Sequence, residues 1–360
     1  MRFLIIKTSA LGDIVQTYPV VHYLKNRFPG CLIDWVVEKR AQSLVQDHPQ
    51  IDNAIVIDAK SWKKKLFSIA TYRELFAFLK DLRKDSYDVV FDLQGNSKSA
   101  FITFFSRSRC KVGFGWKTVH ERPNLLVTTH KVNPPVGQNI RRDYLYVVQD
   151  YFHDHLCSPD EDVSLKLKNS DESQLELLSQ SLPENTWLIC PGSQWQNKKI
   201  SDDALQGFLE LSSASYAPHF IFLSGSDEEK VLSQKMAKVF CENSQILHKP
   251  SFVLLQHVMK KVKLVISVDS LPLHLAGTTE TPTFSIFGPS IANKFRPLKE
   301  SSYTYQASCP FNKTFEKRCP ELRSCSTGAC LKNIQPQELF YSFQRWYDHK
   351  KELQSSFLTG

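Results

Sequence analysis

Short apolar runs alternate along the chain with longer segments in which apolar residues recur at helical spacing. In the first half, the apolar runs predict strands at residues 2–7, 32–38, 54–58 and 88–93. Helical spacing between them predicts a helix that ends near residue 28 and another over 72–83. Strands that alternate with helices are typical of βαβ units, whose strands form a parallel sheet. The first half is therefore predicted to be an α/β domain.

The second half repeats this pattern after a polar segment over 158–184. Its predicted strands cover residues 187–190, 219–224, 264–269 and 283–287. We place the domain boundary near Pro183, which gives domains over 1–182 and 183–335 and a final segment over 336–360. The final segment carries Phe340, Phe343, Trp346 and Tyr347 at helical spacing, which indicates a helix with a core-facing stripe.

Composition narrows the class of protein. A chain of 360 residues favours two domains, and a net charge of +8 permits an anionic partner such as nucleic acid, a membrane surface or a phosphorylated substrate. Because no zinc finger, RNP-type motif or long basic helix is present, we expect no nucleic-acid partner. No apolar run approaches the roughly 20 residues of a membrane span, and the first residues are unlike a signal peptide, so we expect a cytoplasmic protein.

The turn after the first predicted strand carries the first candidate for catalysis. It reads Lys7-Thr8-Ser9-Ala10-Leu11-Gly12-Asp13, and such βα turns are where α/β sheets bind ligands. A carboxylate at Asp13 can accept a proton from a substrate or cap the helix that begins near Ile14. On these residues alone, capping is the better supported role.

Two turns in the second half have the features of anion sites. The run CPGSQ at 190–194 follows a predicted strand, and Lys198-Lys199 lies just beyond it. A lysine there can neutralise a diphosphate, although most such pairs are solvated. Another predicted strand leads through Asp269 into a helix that starts near Ser270, where free N–H groups favour a phosphate. Plain helix capping by Asp269 and Ser270 is equally well supported.

Three further clusters stand out. Acidic residues at 227–229 follow a predicted strand, as is common in the first turn of a helix. The segment KSWKKKLF at 60–67 interleaves lysines with aromatic residues, which indicates an anionic surface partner. Among nine cysteines, the last four (Cys309, Cys319, Cys325 and Cys330) lack a Cys-x-x-Cys pair, so a loop of free or paired thiols is preferred over the alternative of zinc.

Several motifs resemble those of one family. The run KTSALGDIVQTYP at 7–19 resembles the amino-terminal signature of the bacterial lipopolysaccharide heptosyltransferases, glycosyltransferase family 9. SVDSLPLHL at 267–275 and DLQGNSKSA at 92–100 are similar to two further family motifs, and GFGWKT at 113–118 continues the likeness. The resemblance implies the GT-B fold, in which two Rossmann-like domains with parallel sheets face each other across a cleft. It also implies that the helix within 336–360 packs back on the N-terminal domain.

The resemblance implies an inverting transfer of heptose from ADP-L-glycero-D-manno-heptose to the Kdo of lipid A-linked lipopolysaccharide. Asp13 is then the general base and Lys198 the cation that stabilises the departing diphosphate. We expect no cofactor and no obligatory metal. The implied site of action is the cytoplasmic face of the inner membrane, with peripheral contact to its anionic surface.

The remaining site residues follow from the same resemblance. The implied donor-binding residues are Ser193, Gln194, Glu229, Asp269, Ser270, Leu271 and His274, with Glu228 as the alternative to Glu229 and with Leu271 in place of the family's usual glycine. The implied acceptor-binding residues are Ser9, Ala10, Gly12, Lys60, Lys63, Lys64, Gln94, Lys98 and either His120 or Arg122. Three alternatives stay open. One is a GT-B transferase that uses another nucleotide sugar or a heptose acceptor. The others are a nucleotide-sugar epimerase or hydrolase, and a nucleotide-binding regulator in which Asp13 is only a cap.

Overall fold

The computed structural model describes residues 1–64, 68–154 and 162–358, apart from the side chains of residues 63 and 353–358. The chain divides into two compact units, Met1–Lys166 and Leu167–Gly360. Each unit contains a six-stranded sheet whose paired strands are parallel. The predicted α/β class with two doubly wound halves is therefore confirmed.

The first unit alternates strands and helices. Its strands are β1 (Arg2–Ile6), β2 (Leu32–Glu38), β3 (Asn53–Ile57), β4 (Val89–Asp92), β5 (Cys110–Phe114) and β6 (His130–Val132). Its helices are α1 (Leu11–Val15), α2 (Tyr18–Arg27), α3 (Gln42–Gln46), α4 (Ala59–Lys64), α5 (Ile69–Leu82), α6 (Ser97–Phe105) and α7 (Ile140–Tyr151). The strand order is β3-β2-β1-β4-β5-β6.

The second unit is built in the same way. Its strands are β7 (Thr186–Cys190), β8 (His219–Ser224), β9 (Ser244–His248), β10 (Leu264–Val268), β11 (Thr283–Phe287) and β12 (Ser302–Gln306). Its helices are α8 (Asn169–Ser181), α9 (Asp202–Tyr216), α10 (Asp227–Phe240), α11 (Phe252–Met259), α12 (Leu271–Ala276), α13 (Ala292–Phe295), α14 (Ala329–Lys332) and α15 (Pro336–Leu358). The strand order is β12-β11-β10-β7-β8-β9.

The central strands are apolar because helices cover both faces of each sheet. Every residue of β4, β7, β10 and β11 is buried, as expected for strands of a doubly wound parallel sheet. Four strands that the sequence analysis did not predict, β5, β6, β9 and β12, lie at or next to a sheet edge. Their mixed polar sequences reflect partial exposure there.

The division between the units differs from the predicted boundary at 182/183. It falls after Lys166, so α8 belongs to the second unit, where Ser251 donates a hydrogen bond to Asp171 of α8 over 2.7 Å. The predicted stripe of α15 is confirmed, since Phe343 and Tyr347 are buried. Their rings lie 5.3 and 5.2 Å from that of Trp187 in β7. Phe343 and Tyr347 of α15 therefore pack on the core of the second unit, and the expected packing of this helix on the N-terminal domain stays a prediction.

None of the helices in the described ranges combines the length and the apolar composition needed to cross a membrane.

Candidate active site

Each sheet has one place where the direction of winding reverses. In the first unit this switch point lies between β1 and β4, and in the second it lies between β7 and β10. In doubly wound sheets, ligands bind beyond the carboxyl ends of the strands at this point. The turns after β1, β4, β7 and β10 carry most of the predicted site residues.

The turn after β1 presents Asp13 in the first turn of α1. One carboxylate oxygen of Asp13, Oδ2, accepts a hydrogen bond from the backbone N–H of Ala10 over 3.3 Å. Asp13 and Gly12 are half-buried, Ser9 is half-buried and Ala10 is exposed. The carboxylate thus has the capping role that the sequence favoured, while its partial exposure keeps it accessible to a ligand.

Gln94, in the turn after β4, braces the turn that carries Asp13. Its Oε1 accepts hydrogen bonds from the backbone N–H groups of Thr8 and Ser9, each over 3.1 Å. Lys7 adds a second link, because its buried ammonium donates to the carbonyl of Leu93 over 3.0 Å. These contacts tie the two strand ends of the first switch point together. Acceptor contact by Gln94 stays a prediction.

Asp92 is a buried organising residue that the sequence analysis did not assign a role. Its Oδ1 accepts from the backbone N–H groups of Gln94 and Gly95, over 3.1 and 2.9 Å. Its Oδ2 accepts from Thr103 and Asn124, over 2.8 and 2.5 Å. The available sequence signal was an aspartate at the end of an apolar strand run. Such a carboxylate is buried with the strand and therefore needs hydrogen-bond partners.

The predicted acceptor-binding cations are spread over several elements. Lys98 in α6 pairs with Glu38 at the end of β2, with 2.6 Å between Nζ and Oε1. Lys60 and Lys64 in α4 are exposed, and the side chain of Lys63 lies outside the described residues. His120 and Arg122 are also exposed, so the structure does not distinguish which of the two faces an acceptor.

Lys198 in the second unit is not a solvated surface lysine. It lies beyond β7, and its side chain is only 8% exposed. Its Nζ contacts the carboxylate Oδ2 of Asp269, which directly follows β10 and is 6% exposed. The ion pair therefore joins the two strand ends of the second switch point. Lys199, its neighbour, is half-buried.

The Asp269 carboxylate has two further partners. Ser290, in the turn after β11, donates to Oδ2 over 2.5 Å, and Nε2 of His274 in α12 lies 3.4 Å from Oδ1. Burial raises the pKa of Asp269, but the hydrogen bond from His274 and the charge of Lys198 outweigh it and hold this pKa well below its usual range. Asp269 is therefore a fixed negative charge that orients the Lys198 ammonium.

The turn after β7 also contains the predicted residues Ser193 and Gln194. Ser193 is buried and its hydroxyl accepts from the backbone N–H of Trp195 over 3.3 Å, while Gln194 is exposed. The Glu229 carboxylate lies in close contact with Gly192 in this turn and accepts from the N–H of Gly225 over 2.8 Å. Glu228 is exposed, so Glu229 is the acidic residue of α10 that reaches this strand end.

Ser270 and Leu271 form the entry to α12. Both residues are half-buried, and the Ser270 hydroxyl donates to the carbonyl of Val268 over 3.3 Å. The side chain of Ser270 makes no cap bond within α12. The backbone N–H groups at this helix start thus point to the same strand end as the Lys198–Asp269 pair.

The four late cysteines line one small pocket with Phe311, Phe315 and Leu322. All four are free and half-buried. Within the described ranges, no group of three or more His, Cys, Asp or Glu side chains is arranged to hold a metal ion. The expected absence of an obligatory metal stays a prediction.

Chemically, the second switch point offers a buried ammonium, a helix start and a carboxylate beside a glycine turn. A fixed cation next to free backbone N–H groups stabilises the negative charge that develops on a phosphate leaving group. The first switch point offers an accessible carboxylate on a braced turn. A carboxylate of this kind can act as a general base.

The chain is similar to known proteins over most of its length. The sequence model of glycosyltransferase family 9 (heptosyltransferase) matches residues 75–324. Lipopolysaccharide heptosyltransferase 1 of Campylobacter coli is 29% identical over 310 residues, which cover 82% of this chain and 87% of that protein. Its namesake in Escherichia coli K12 is 25% identical over 299 residues, which cover 81% and 88%.

The solved structure of the E. coli heptosyltransferase WaaC with ADP superposes with a TM-score of 0.78 at 21% identity. The match covers 96% of this chain and all of that one. This likeness shows the GT-B fold. Together with the family match over most of the chain, it establishes that the chain is a glycosyltransferase and belongs to glycosyltransferase family 9, the heptosyltransferases.

Proposed function

We propose that this enzyme transfers heptose from ADP-L-glycero-D-manno-heptose to the Kdo of lipid A-linked inner-core lipopolysaccharide. The buried Lys198–Asp269 pair at the second switch point carries this proposal, because a fixed ammonium suits the diphosphate of a nucleotide sugar. The names of the curated relatives support the heptosyl group and the lipopolysaccharide acceptor. Since that acceptor is lipid-anchored, the enzyme works as a peripheral protein at the cytoplasmic face of the inner membrane.

The reaction is a single displacement with inversion. The acceptor hydroxyl oxygen attacks the anomeric carbon of the heptose and gives its proton to the Asp13 carboxylate. The bond between the anomeric carbon and the β-phosphate oxygen breaks, and ADP leaves with the electron pair. The Ala10 N–H orients the Asp13 carboxylate, and Lys198 with the start of α12 stabilises the charge on ADP.

Donor recognition is assigned to the turns around Lys198. Glu229 reaches the turn at Gly192 and accepts hydrogen bonds from the ribose hydroxyls. His274, Ser193 and Gln194 contact the diphosphate and the sugar. Acceptor recognition is assigned to a few cations of the first unit, because Kdo and the lipid A phosphates are anionic. They are Lys60, Lys63, Lys64, Lys98 and either His120 or Arg122.

The test is transfer of mass to the acceptor. Purified enzyme is incubated with Kdo-lipid A and one donor, which is either ADP-heptose or a member of a panel of other nucleotide sugars. The mass of the acceptor is then measured by mass spectrometry. We expect the acceptor to gain the mass of one heptose with ADP-heptose and no mass with the other nucleotide sugars. Consumption of ADP-heptose that does not depend on the acceptor would instead indicate a hydrolase or epimerase, and binding of ADP-heptose without turnover would indicate a regulator.

Two variants test the assigned roles. Asp13→Asn should lower kcat by about 10²–10⁴-fold and leave ADP binding unchanged, because general-base catalysis contributes about this much. The matched control is Asp81→Asn, since Asp81 is an exposed carboxylate of the same unit. Lys198→Met should lower kcat by about 10²–10³-fold, with Lys199→Met as its control. Normal turnover in either test variant contradicts the role assigned to that residue.

A further inference from the structure

Helix α5 exposes apolar side chains on its outer face. Ile69 is 72% exposed, Tyr72 59% and Phe76 72%. Residues spaced by three and four lie on one side of a helix, so these three form a single apolar stripe. The opposite side of α5 is occupied by Phe78 and Leu82, which are buried in the core of the first unit. The exposed stripe therefore does not contribute to the packing of α5 on the core of the first unit.

A second exposed apolar pair lies on the neighbouring helix α6. Phe101 is 39% exposed and Phe104 63%. Phe105 of α6 packs against the same core cluster as Leu75 and Leu79 of α5, so both helices cover the same face of the sheet. Together, the exposed residues of α5 and α6 give this face a broad apolar surface, which marks an interaction site in a soluble domain.

Basic side chains border this apolar surface. Arg73 follows Ile69 by four residues and Lys80 follows Phe76 by four, so each cation lies beside an apolar residue of the stripe. Both cations are exposed, as are Lys60 and Lys64 of α4, which packs on the same cluster through Trp62. Of the acidic residues of α5, Glu74 faces α4 and its carboxylate accepts a hydrogen bond from the indole N–H of Trp62 over 2.9 Å, whereas Asp81 is exposed near the end of the helix.

We propose that this surface, formed by the exposed residues of α4, α5 and α6 named above, docks on an anionic lipid bilayer. Apolar and aromatic side chains flanked by long cationic ones are the pattern of helices that lie in a membrane interface. A second copy of the chain fits less well, because a two-fold contact would bring the same cations face to face. The inference rests on the proposed function, in which the acceptor is lipid-anchored.

The direct test is cosedimentation of the full-length enzyme with vesicles of phosphatidylcholine and phosphatidylglycerol, or of phosphatidylcholine alone. We expect binding to the anionic vesicles that weakens at high salt. Ile69→Ser with Phe76→Ser should lower the partition coefficient about tenfold or more, since two apolar side chains lose their burial. The control is Leu177→Ser, because Leu177 is 72% exposed on α8 of the second unit. If the Ile69→Ser/Phe76→Ser variant binds the anionic vesicles as well as the Leu177→Ser control does, the assignment of this surface is overturned.

A charge variant tests the cationic border. Arg73→Glu with Lys80→Glu should lower binding to anionic vesicles by at least about fivefold per residue, with Lys238→Glu in α10 as the control. Binding that is insensitive to these changes and to salt overturns the role of the cations. A third outcome is that the parent enzyme binds no vesicles and forms a dimer that the Ile69→Ser/Phe76→Ser variant dissociates. That result assigns the surface to contact with a second copy of the chain.

A water-soluble acceptor separates this inference from the proposed function. Both surface variants should use deacylated Kdo-sugar acceptor as the parent does, and should lose activity only toward acceptor embedded in vesicles. Loss of activity toward both acceptors would place the surface in the catalytic site and overturn the docking role. If the parent transfers heptose to neither acceptor but binds anionic vesicles, the proposed function fails while the docking surface stands.

Discussion

The Lys198–Asp269 pair makes a quantitative prediction about stability. Both side chains are less than a tenth exposed, so water cannot screen a charge that loses its partner. Asp269→Asn leaves the Lys198 ammonium buried beside a neutral amide, and removing one partner of a buried pair costs about 3–5 kcal/mol. The same variant weakens the contacts from Ser290 and His274, which point to the carboxylate.

The assay is urea unfolding, with hydrogen exchange of the β10 amides to report on the second unit alone. Lys198→Met combined with Asp269→Asn removes both charges and should cost less than the sum of the single variants, with a coupling of about 2–3 kcal/mol. The control is Asp202→Asn. Asp202 is 51% exposed and pairs with Lys235 at 3.4 Å on the surface, so its loss should cost under about 1 kcal/mol.

The pH dependence has a defined sign. The pKa of Asp269 is lowered in the folded protein, so its contribution to stability is present above the unfolded value of about 3.9 and is lost as pH falls below it. Asp269→Asn should therefore flatten the acid limb of the stability curve. If Asp269→Asn were no more destabilising than Asp202→Asn, the pair would be solvated and this reasoning would be refuted.

Three further outcomes follow from other parts of the fold. Burial, with smaller contributions from Lys166 and His22, lowers the pKa of His48 to about 3. The free energy of unfolding should therefore fall as pH drops from the pKa of the unfolded state, about 6.5, toward 3. His48→Gln should remove this loss in a series of urea unfolding experiments at different pH. Phe343→Ala in α15 should lower the free energy of unfolding by about 3–5 kcal/mol in the same assay. The control is Tyr341→Ala, which should change it by less than about 0.5 kcal/mol because Tyr341 is 63% exposed. Equal losses would contradict the packing of α15. A Cβ at Gly192 would overlap the Glu229 carboxylate, so Gly192→Ala should leave Tm unchanged but raise the Kd for ADP about tenfold by calorimetry; an unchanged Kd would remove Glu229 from the nucleotide site.

The sequence predicted those parts of the fold where burial alone determines composition. β10 and β11 are buried along their whole length, so their apolar runs stand out from the neighbouring helices. β12 and β9 lie at sheet edges and mix polar with apolar residues, so their periodicity resembles that of a loop. The division between the compact units falls before the predicted boundary. The difference lies in α8, which has no buried residue and whose polar sequence resembles a linker, although it packs on α11.

The site was predictable as a set of turns but not as a set of contacts. Lys198 and Asp269 are 71 residues apart in the sequence, and only the strand order, which makes β7 and β10 neighbours, brings them together. Ser290 shows what the same logic can recover. It follows β11 through Gly288-Pro289, much as Ser193 follows β7 through Pro191-Gly192. In the sheet, β11 lies next to β10. Once the order of strands is known, the polar residue after each central strand becomes a candidate for the same site, because parallel strands deliver their carboxyl ends to one edge.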